Sequence, residues 1–479
     1  MSSRPSVAIV RLAPWMTFKN AHPHDLMWPC TLLYVAGIAR GLGWRVDLLD
    51  LHVTPLDLAG FVERVVSWAP DVIVLDTMTP TASLAKQASV RLRELLPEAR
   101  IVGVGQHATE ASAHLLASPS GYDGVVRGEP EASLRRLFEG TPLREVPGAA
   151  WLEGERLVEN GGKQELRNLD EELPPLDPTG LDLDAYRMRS VAVPQFGQVR
   201  WGFLLTSRGC PYPCTFCSPT LRQSYGTGFR AHSAQRVVDD MERLYRDHGV
   251  TAFYTIDDVF SLHKGRVRQI CELLVARRLP IHWTLQTRAD LLDDAMCALL
   301  KRAGCVAVKM GIESGVPRIL ELIRKDETRE EMLSAAQSVR RAGMSLTAYY
   351  MLGHPTETLD EMYATMRYAH EIDADMIQVA FHTPYPGSAT WDEYRDRVSD
   401  LDELNHYETQ HLNASLVGSA ELEALQRRFY LEYYFTPRIL ARYARRRLLY
   451  RLTDREEWRL AFLTLRYLAL ERGKATATS

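Results

Sequence analysis

Short apolar runs separated by stretches of helical period fill the first part of the chain. Val7 to Leu12, Arg45 to Asp50, Asp71 to Leu75, Arg100 to Gly105 and Gly124 to Arg127 read as strands. Leu32 to Leu42, Leu58 to Ser67, Ala82 to Leu96 and Thr109 to Ala117 read as the helices between them. Alternation at this spacing predicts parallel strands joined by right-handed crossovers, a doubly wound Rossmann-like α/β domain over residues 1–140. Ligands of such sheets sit at the carboxyl ends of the strands. Over 141–199 the periodicity fades and prolines gather, as in Glu172-Leu-Pro-Pro-Leu-Asp-Pro178, which predicts an irregular linker with a small hairpin. A second series spans 200–390, with strands at Phe203 to Thr206, Ala252 to Ile256, His282 to Thr287, Ala307 to Ile312, Leu346 to Leu352 and Met376 to Phe381. Six βα units predict an open, partial TIM barrel. The remainder, 391–479, turns helical from about Glu421 and sets Arg438, Arg442, Arg445, Arg446 and Arg447 among Leu and Tyr. Such a helix can lie on anionic lipid; packing on its own protein with a solvated basic face is the plainer expectation.

Composition narrows the function classes. A chain of 479 residues, 46% hydrophobic and 25% charged, can bury large cores. Its formal net charge of -4 gives no field for a polyanion, so the expected partner is a small molecule and not a nucleic acid. No stretch approaches the ~18 apolar residues of a membrane span, and the amino terminus has no apolar leader, so a cytoplasmic protein is expected. Seven cysteines are too few for a disulfide scaffold, yet three crowd into one loop, which in a reducing compartment points to metal.

That loop is Cys210-Pro-Tyr-Pro-Cys214-Thr-Phe-Cys217, directly after the first barrel strand and therefore at the carboxyl-terminal face where barrels keep their active sites. Three thiolates can hold three corners of a cubane 4Fe-4S cluster and leave the fourth iron open. A closed zinc site made by these cysteines with His232 competes with this reading, but zinc sites usually pair two Cys-x-x-Cys segments and only one is present. Cys30, Cys271, Cys297 and Cys305 lie among apolar residues and are expected to pack as small hydrophobes, with no grouping for an auxiliary cluster.

The Cys-x-x-x-Cys-x-x-Cys loop, with the aromatic Phe216 before its last cysteine, resembles that of the radical S-adenosylmethionine (radical SAM) superfamily. The resemblance implies that the open iron chelates the amino and carboxylate groups of S-adenosylmethionine. One electron, from a donor such as flavodoxin or ferredoxin, then breaks the S–C5′ bond, and the resulting 5′-deoxyadenosyl radical takes a hydrogen atom from substrate. The strand ends Ile256-Asp257-Asp258, Gln286-Thr-Arg288, Gly311-Ile-Glu313-Ser314-Gly315 and Leu352-Gly353-His-Pro355 match the family's rim. Asp257 and Glu313 would take amino or ribose groups, Arg288 the methionyl carboxylate, and Phe216, Asp258, Ser314 and Gly353 would complete the cofactor site, with a helix cap the competing role for Asp258.

The order of doubly wound domain, linker, barrel and helical tail resembles the cobalamin-binding branch of that superfamily over nearly the whole chain. The matching stretches are Pro29 to Gly37, Thr77-Met-Thr79-Pro80, Gly103-Val-Gly105-Gln106-His107-Ala-Thr109 and Val126-Arg-Gly128-Glu129-Pro-Glu131. The resemblance implies that these loops surround the corrin and its nucleotide tail, with Thr77, Thr79, Gly103, Gly105, Gln106, His107, Gly128 and Glu129 as candidate contacts. The chain departs from the branch where Asp50-Leu-His52 lacks the glycine of the lower-ligand motif, and where Val74, Asp76 and Val104 replace smaller residues. His52 and His107 are candidate cobalt ligands, with a hydrogen-bonded structural role the commoner fate of a histidine at a strand end. The expected activity is cobalamin-dependent C-methylation of a natural-product intermediate. Dehydration, epimerisation or oxidation of an aminosugar-like molecule without cobalamin is the alternative, for which Tyr212, Tyr349, Glu357 or a cysteine is a candidate donor. A non-catalytic cluster or corrin sensor is the reading from another class. A tRNA methylthiotransferase is disfavoured, since there is neither a second cysteine cluster nor a basic carboxyl-terminal module.

Overall fold

The structure, a computed structural model, describes residues 4–13, 26–189, 198–217, 226–398, 401, 404–409 and 412–450. The first sheet runs β2-β1-β3-β4-β5-β6-β7. Its strands are β1 Ser6–Arg11, β2 Arg45–Asp50, β3 Val72–Asp76, β4 Arg100–Val104, β5 Gly124–Val126, β6 Ala149–Glu153 and β7 Arg156–Glu159. The five leading strands are parallel, and the continuous apolar runs of β1 and β3 are buried on both faces, as helices on either side require. The order 2-1-3-4-5 reverses between β1 and β3, which puts a ligand crevice outside their carboxyl ends. Two elements differ from expectation. The hairpin of the proline-rich stretch is β6-β7, and it extends this sheet antiparallel. The single helix read over Thr109 to Ala117 is two short helices, Gln106–Glu110 and Ser112–Leu116. There the Ser112 hydroxyl donates to the Ala108 carbonyl and competes with the helical ladder.

The second sheet is an open barrel, order β16-β15-β14-β13-β12-β9-β8. Its strands are β8 Arg187–Arg189, β9 Gln198–Leu204, β12 Ala252–Thr255, β13 His282–Thr287, β14 Cys305–Glu313, β15 Ser345–Leu352 and β16 Met376–Phe381, and a ribbon of β10 Ser207–Arg208 and β11 Arg230–Ala231 stands beside it. The six expected parallel strands are present; β8 adds an antiparallel edge. The other edge, β16, is covered by helix Ser419–Tyr434: the amides of Ile377 and Val379 donate to the Tyr434 and Tyr430 hydroxyls. Arg438 and Arg442 pair with Asp373, so these two basic residues engage the protein itself. The side chains of Arg446 and Arg447 lie outside the described residues. Among the described residues no helix is long and apolar enough to cross a membrane.

One hydrophobic core runs through both sheets, with Trp28 and Cys30 of the first domain against Phe203 of the barrel. Within this apolar junction sits a buried ion cluster. The Arg208 guanidinium meets Glu131 Oε1 at 2.5 Å and Glu129 Oε2 at 3.4 Å, and Arg230 meets Glu129 Oε1 at 2.8 Å. Removing one partner from such a cluster leaves an uncompensated buried charge, at a cost of about 3–5 kcal/mol. Arg208→Ala should therefore lower the unfolding free energy of the apoprotein by that order in urea titration; an unchanged free energy would show that the cluster does not hold the domains together.

Candidate active site

The cysteine loop leaves the barrel at the carboxyl end of β9 and is fastened at several points. The Asp257 carboxylate, at the end of β12, accepts from the Thr206 hydroxyl at 2.6 Å and from the Ser207 amide. Arg266 donates to the Thr206 carbonyl and to its hydroxyl oxygen. Further along, the Thr215 amide donates to the Ile323 carbonyl at 2.9 Å. The loop thus holds Cys210, Cys214 and Cys217 as a group whose charges interact. Burial pushes the Cys217 thiol up, with Asp258 and the other two cysteines adding to it; burial likewise raises Cys214, against Lys325 and Arg288. The thiols therefore give up their protons as metal binds. His232 takes no part in a zinc site, because its ring bonds Asp170 at 2.8 Å and the Tyr34 hydroxyl at 3.4 Å. Among the described residues no three His, Cys, Asp or Glu side chains converge on a single ion, whereas a cubane takes its thiolates at separate corners.

Around the rim, the expected residues divide by whether protein partners occupy them. Both Asp257 oxygens are engaged. Arg288 donates to the carbonyls of Lys325 and Asp326 and to Asp290, and its plane lies 3.7 Å from the Tyr212 ring centroid. It thereby ties the loop after helix Pro317–Leu322 to the cysteine loop. The Ser314 hydroxyl bonds Thr365 and the Val316 amide. Among the described residues, Asp258 Oδ2, Ser261 Oγ and Thr287 Oγ1 are buried with no partner, so the ends of β12 and β13 present polar atoms suited to a polar ligand. Burial and the neighbouring Asp257 push Asp258 up to about 8. Glu313 has φ 64, a left-handed conformation that a glutamate adopts only under constraint. The register of β14 against β15 shifts here, and the Ser314 amide donates to the Ile312 carbonyl. Lys325 Nζ lies 3.6 Å from Glu313 and 3.1 Å from Glu327. Burial would lower Lys325, but the two glutamates outweigh it and hold the ammonium charged. Gly311 makes room for this pair: a Cβ there would lie 2.3 Å from Glu313 Oε1 and 3.1 Å from Lys325 Nζ.

Lys325 was not visible in the sequence, since Arg-Lys-Asp-Glu at 324–327 looks like a solvated charge run. The partner of His354 was not visible either. His354 Nδ1 faces His382 Nδ1 at 3.1 Å, His382 Nε2 reaches Thr390 at 3.3 Å, and His354 Nε2 is buried without a partner beside the Phe216 ring. Glu357 Oε2 accepts from the amides of Gly353 and His354 and fixes this corner.

At the edge of the first sheet, Gly105 has φ 95, and a Cβ there would meet Asp76 Oδ1 at 2.3 Å, so only glycine fits between β3 and β4. His107 is turned inward, to Thr79 at 3.3 Å and His114 at 2.9 Å, and burial lowers it to about 3. Thr77 is buried, its carbonyl accepting from the His107 amide. Gln106 opens the short helix after Gly105. Gly103 packs against Leu115 and Tyr122, and the Gly128 amide donates to Thr109. The Glu129 oxygens are engaged by Arg208, Arg230 and the Leu166 amide. Val74 and Val104 are enclosed in the core shared with helices Cys30–Gly41 and Pro130–Phe138. His52 Nε2, at the end of β2, is buried and has no partner among the described residues, which leaves this edge too with a polar atom for a ligand. A cavity of about 490 Å³ lies at the opposite end of the barrel, lined by His282, Lys301, Cys305, Arg340, Asp373 and Arg442, and borders none of these residues. Cys271, Cys297 and Cys305 are buried in the hydrophobic core.

Two family models match the chain, the radical SAM superfamily over residues 204–369 and the B12 binding domain over 21–138. The chain carries a radical SAM domain and a B12-binding domain. It is 27% identical over 421 residues to an uncharacterized methyltransferase of Pyrococcus horikoshii, covering 86% of this chain and 89% of the relative. It is 28% identical over 392 residues to the hopanoid C-3 methylase of Methylococcus capsulatus, covering 77% and 71%. Its fold is similar to that of the radical S-adenosylmethionine methyltransferase TsrM from Kitasatospora setae, solved with cobalamin and a [4Fe-4S] cluster bound. That likeness has a TM-score of 0.68 at 19% identity and covers 82% of this chain and 78% of TsrM.

The acid at this rim gives a pH dependence. Burial pushes Glu357 up to about 8 from its ordinary 4.5, against the two amides that favour its ionised form. The folded protein then holds this proton more tightly than the unfolded chain. The resulting stability is complete below pH 4.5 and is lost as pH rises to about 8, by at most ~1.4 kcal/mol per pH unit. Glu357→Gln, with a permanently neutral amide, should lose less stability than the parent between these limits in denaturant titrations; parallel losses would contradict the assignment.

Proposed function

We propose that the protein is a cobalamin-dependent radical SAM methyltransferase that methylates a carbon of a small molecule in natural-product biosynthesis. The observation that carries this reading is the three-cysteine loop at the carboxyl end of β9, docked by a buried ion cluster against a B12-binding domain. When bound, the cluster supplies the electron that cleaves S-adenosylmethionine, and cobalamin supplies the methyl group that is transferred. Cys210, Cys214 and Cys217 would hold the cluster. Asp258 would take a hydroxyl or amino group of S-adenosylmethionine through its unpartnered oxygen. Lys325 would face the methionyl carboxylate in place of Arg288, which Asp290 and the Lys325 and Asp326 carbonyls hold, with Glu313 beside it to take the amino group. His354 Nε2 would offer one hydrogen bond toward the reacting molecules, its tautomer set by His382. The edge Thr77 to Thr79, Gly105 and His52 would border the corrin, and a reducing partner protein would deliver the electron.

Enclosure of Val74 and Val104 favours a second reading, in which the same rim runs a radical rearrangement or oxidation without cobalamin. Anaerobic reconstitution with iron, sulfide and hydroxocobalamin, followed by corrin quantification, separates the two: near-stoichiometric corrin is expected, and iron without corrin would favour the second. With dithionite and S-adenosylmethionine, 5′-deoxyadenosine should form above the no-enzyme control, and its absence would leave only a cluster sensor. Cys214→Ala should lose both the brown iron–sulfur absorption and this cleavage. Glu313→Ala should bind S-adenosylmethionine at least about tenfold more weakly, the effect of one charge-assisted contact; unchanged affinity would remove Glu313 from the site.

A further inference from the structure

Successive side chains of a strand point to opposite faces, and the two faces of the barrel sheet differ in chemistry. Phe253, Leu285, Val308, Met310, Tyr350 and Val379 are sealed in the core. Their neighbours Tyr254, Gln286, Lys309, Tyr349 and Gln378 are only half-buried. The half-buried face is the lumen of the open barrel, and its lining is polar. Lys309 stands in the middle of β14, in an otherwise apolar run, Cys-Val-Ala-Val-Lys-Met-Gly-Ile. Its Nζ lies 4.0 Å from the Tyr254 ring centroid, and among the described residues it has neither a carboxylate nor a hydrogen-bond partner. Gln286 is its neighbour in register on β13. The Tyr254 hydroxyl donates to Gln286 Oε1 at 3.0 Å, which fixes the amide so that its NH2 is left as the free donor end. A cation and an amide donor thus stand side by side in a half-enclosed space, and no carboxylate among the described residues meets them. An ammonium placed there is costly unless an anion joins it.

We infer that Lys309 and Gln286 bind an anionic group, a carboxylate or a phosphoryl group, of the substrate. Lys309 precedes Glu313 by four residues on one strand, roughly 13 Å at the rise of an extended chain. A molecule anchored by its anionic end would therefore extend up the lumen and present its far carbon at the rim. The inference rests on the radical SAM reading for what happens at that carbon, while the anion site can be tested without it.

The test is trace acetylation of the reconstituted holoenzyme with acetic anhydride, read lysine by lysine by mass spectrometry. Inorganic phosphate or glutarate at saturation should slow acetylation of Lys309 roughly tenfold, as expected for one charge-assisted contact. Neutral glutaramide should not, and the ion-paired Lys163 should be unaffected by any of them. Gln286→Leu should shift the protecting concentration of glutarate upward. Equal protection by glutarate and glutaramide, or protection by neither anion, would overturn the site. Protection by S-adenosylmethionine alone would assign the anion to the methionyl carboxylate and overturn the substrate inference. 5′-Deoxyadenosine formation by the same untreated preparation reports on the radical reading separately.

Discussion

The buried contact of Arg208 with Glu129 and Glu131 is the constraint on which the rest of the structure depends. Arg208 lies two residues before Cys210, and the glutamates open a helix of the first domain, so one ion cluster fixes the cysteine loop relative to the B12-binding domain. Burying such charges is expensive, and a hydrophobic junction of equal volume would be at least as stable. What the ion cluster adds is direction. Guanidinium and carboxylate must meet face to face, which sets one docking angle where an apolar surface tolerates several.

From that fixed loop, the rim is built by contacts that brace one another. Asp257 holds the loop's entrance, the Thr215 amide holds its middle through Ile323, and Arg288 stacks on Tyr212 while gripping the backbone that presents Lys325. Several groups at strand ends are therefore scaffold, while the atoms left unpartnered, Asp258 Oδ2, Ser261 Oγ, Thr287 Oγ1 and His354 Nε2, line the same region. A buried polar group without a partner costs stability, so its persistence marks a place where a ligand completes the bonding.

The lumen follows the same logic at greater depth. Its polar lining sits on the face opposite the sealed core, and Lys309 and Gln286 are adjacent because β13 and β14 pair in register. An anion held there and a cofactor held at the rim would place two reacting molecules in a defined order along the barrel axis, which is the entropic part of catalysis.

Much of this was legible in the sequence. The parallel strands of both sheets follow from short apolar runs, their topology from alternation with helices, and the cluster site from three cysteines in eight residues, because each of these signals is local; the edge strand β8 carries no such run. The break between helices Gln106–Glu110 and Ser112–Leu116 was not legible, because it falls at Ala111, a residue that favours helix. Nor was the division of the rim into scaffold and free groups. Arg208 and Glu131 are 77 positions apart, Arg288 and Lys325 37, and His354 and His382 28. The sequence by itself determined which elements form and which loop carries the cysteines. Only the tertiary structure decided which polar groups meet protein partners and which are left for a ligand, because barrel curvature and domain docking bring together side chains whose separation along the chain carries no periodic signal.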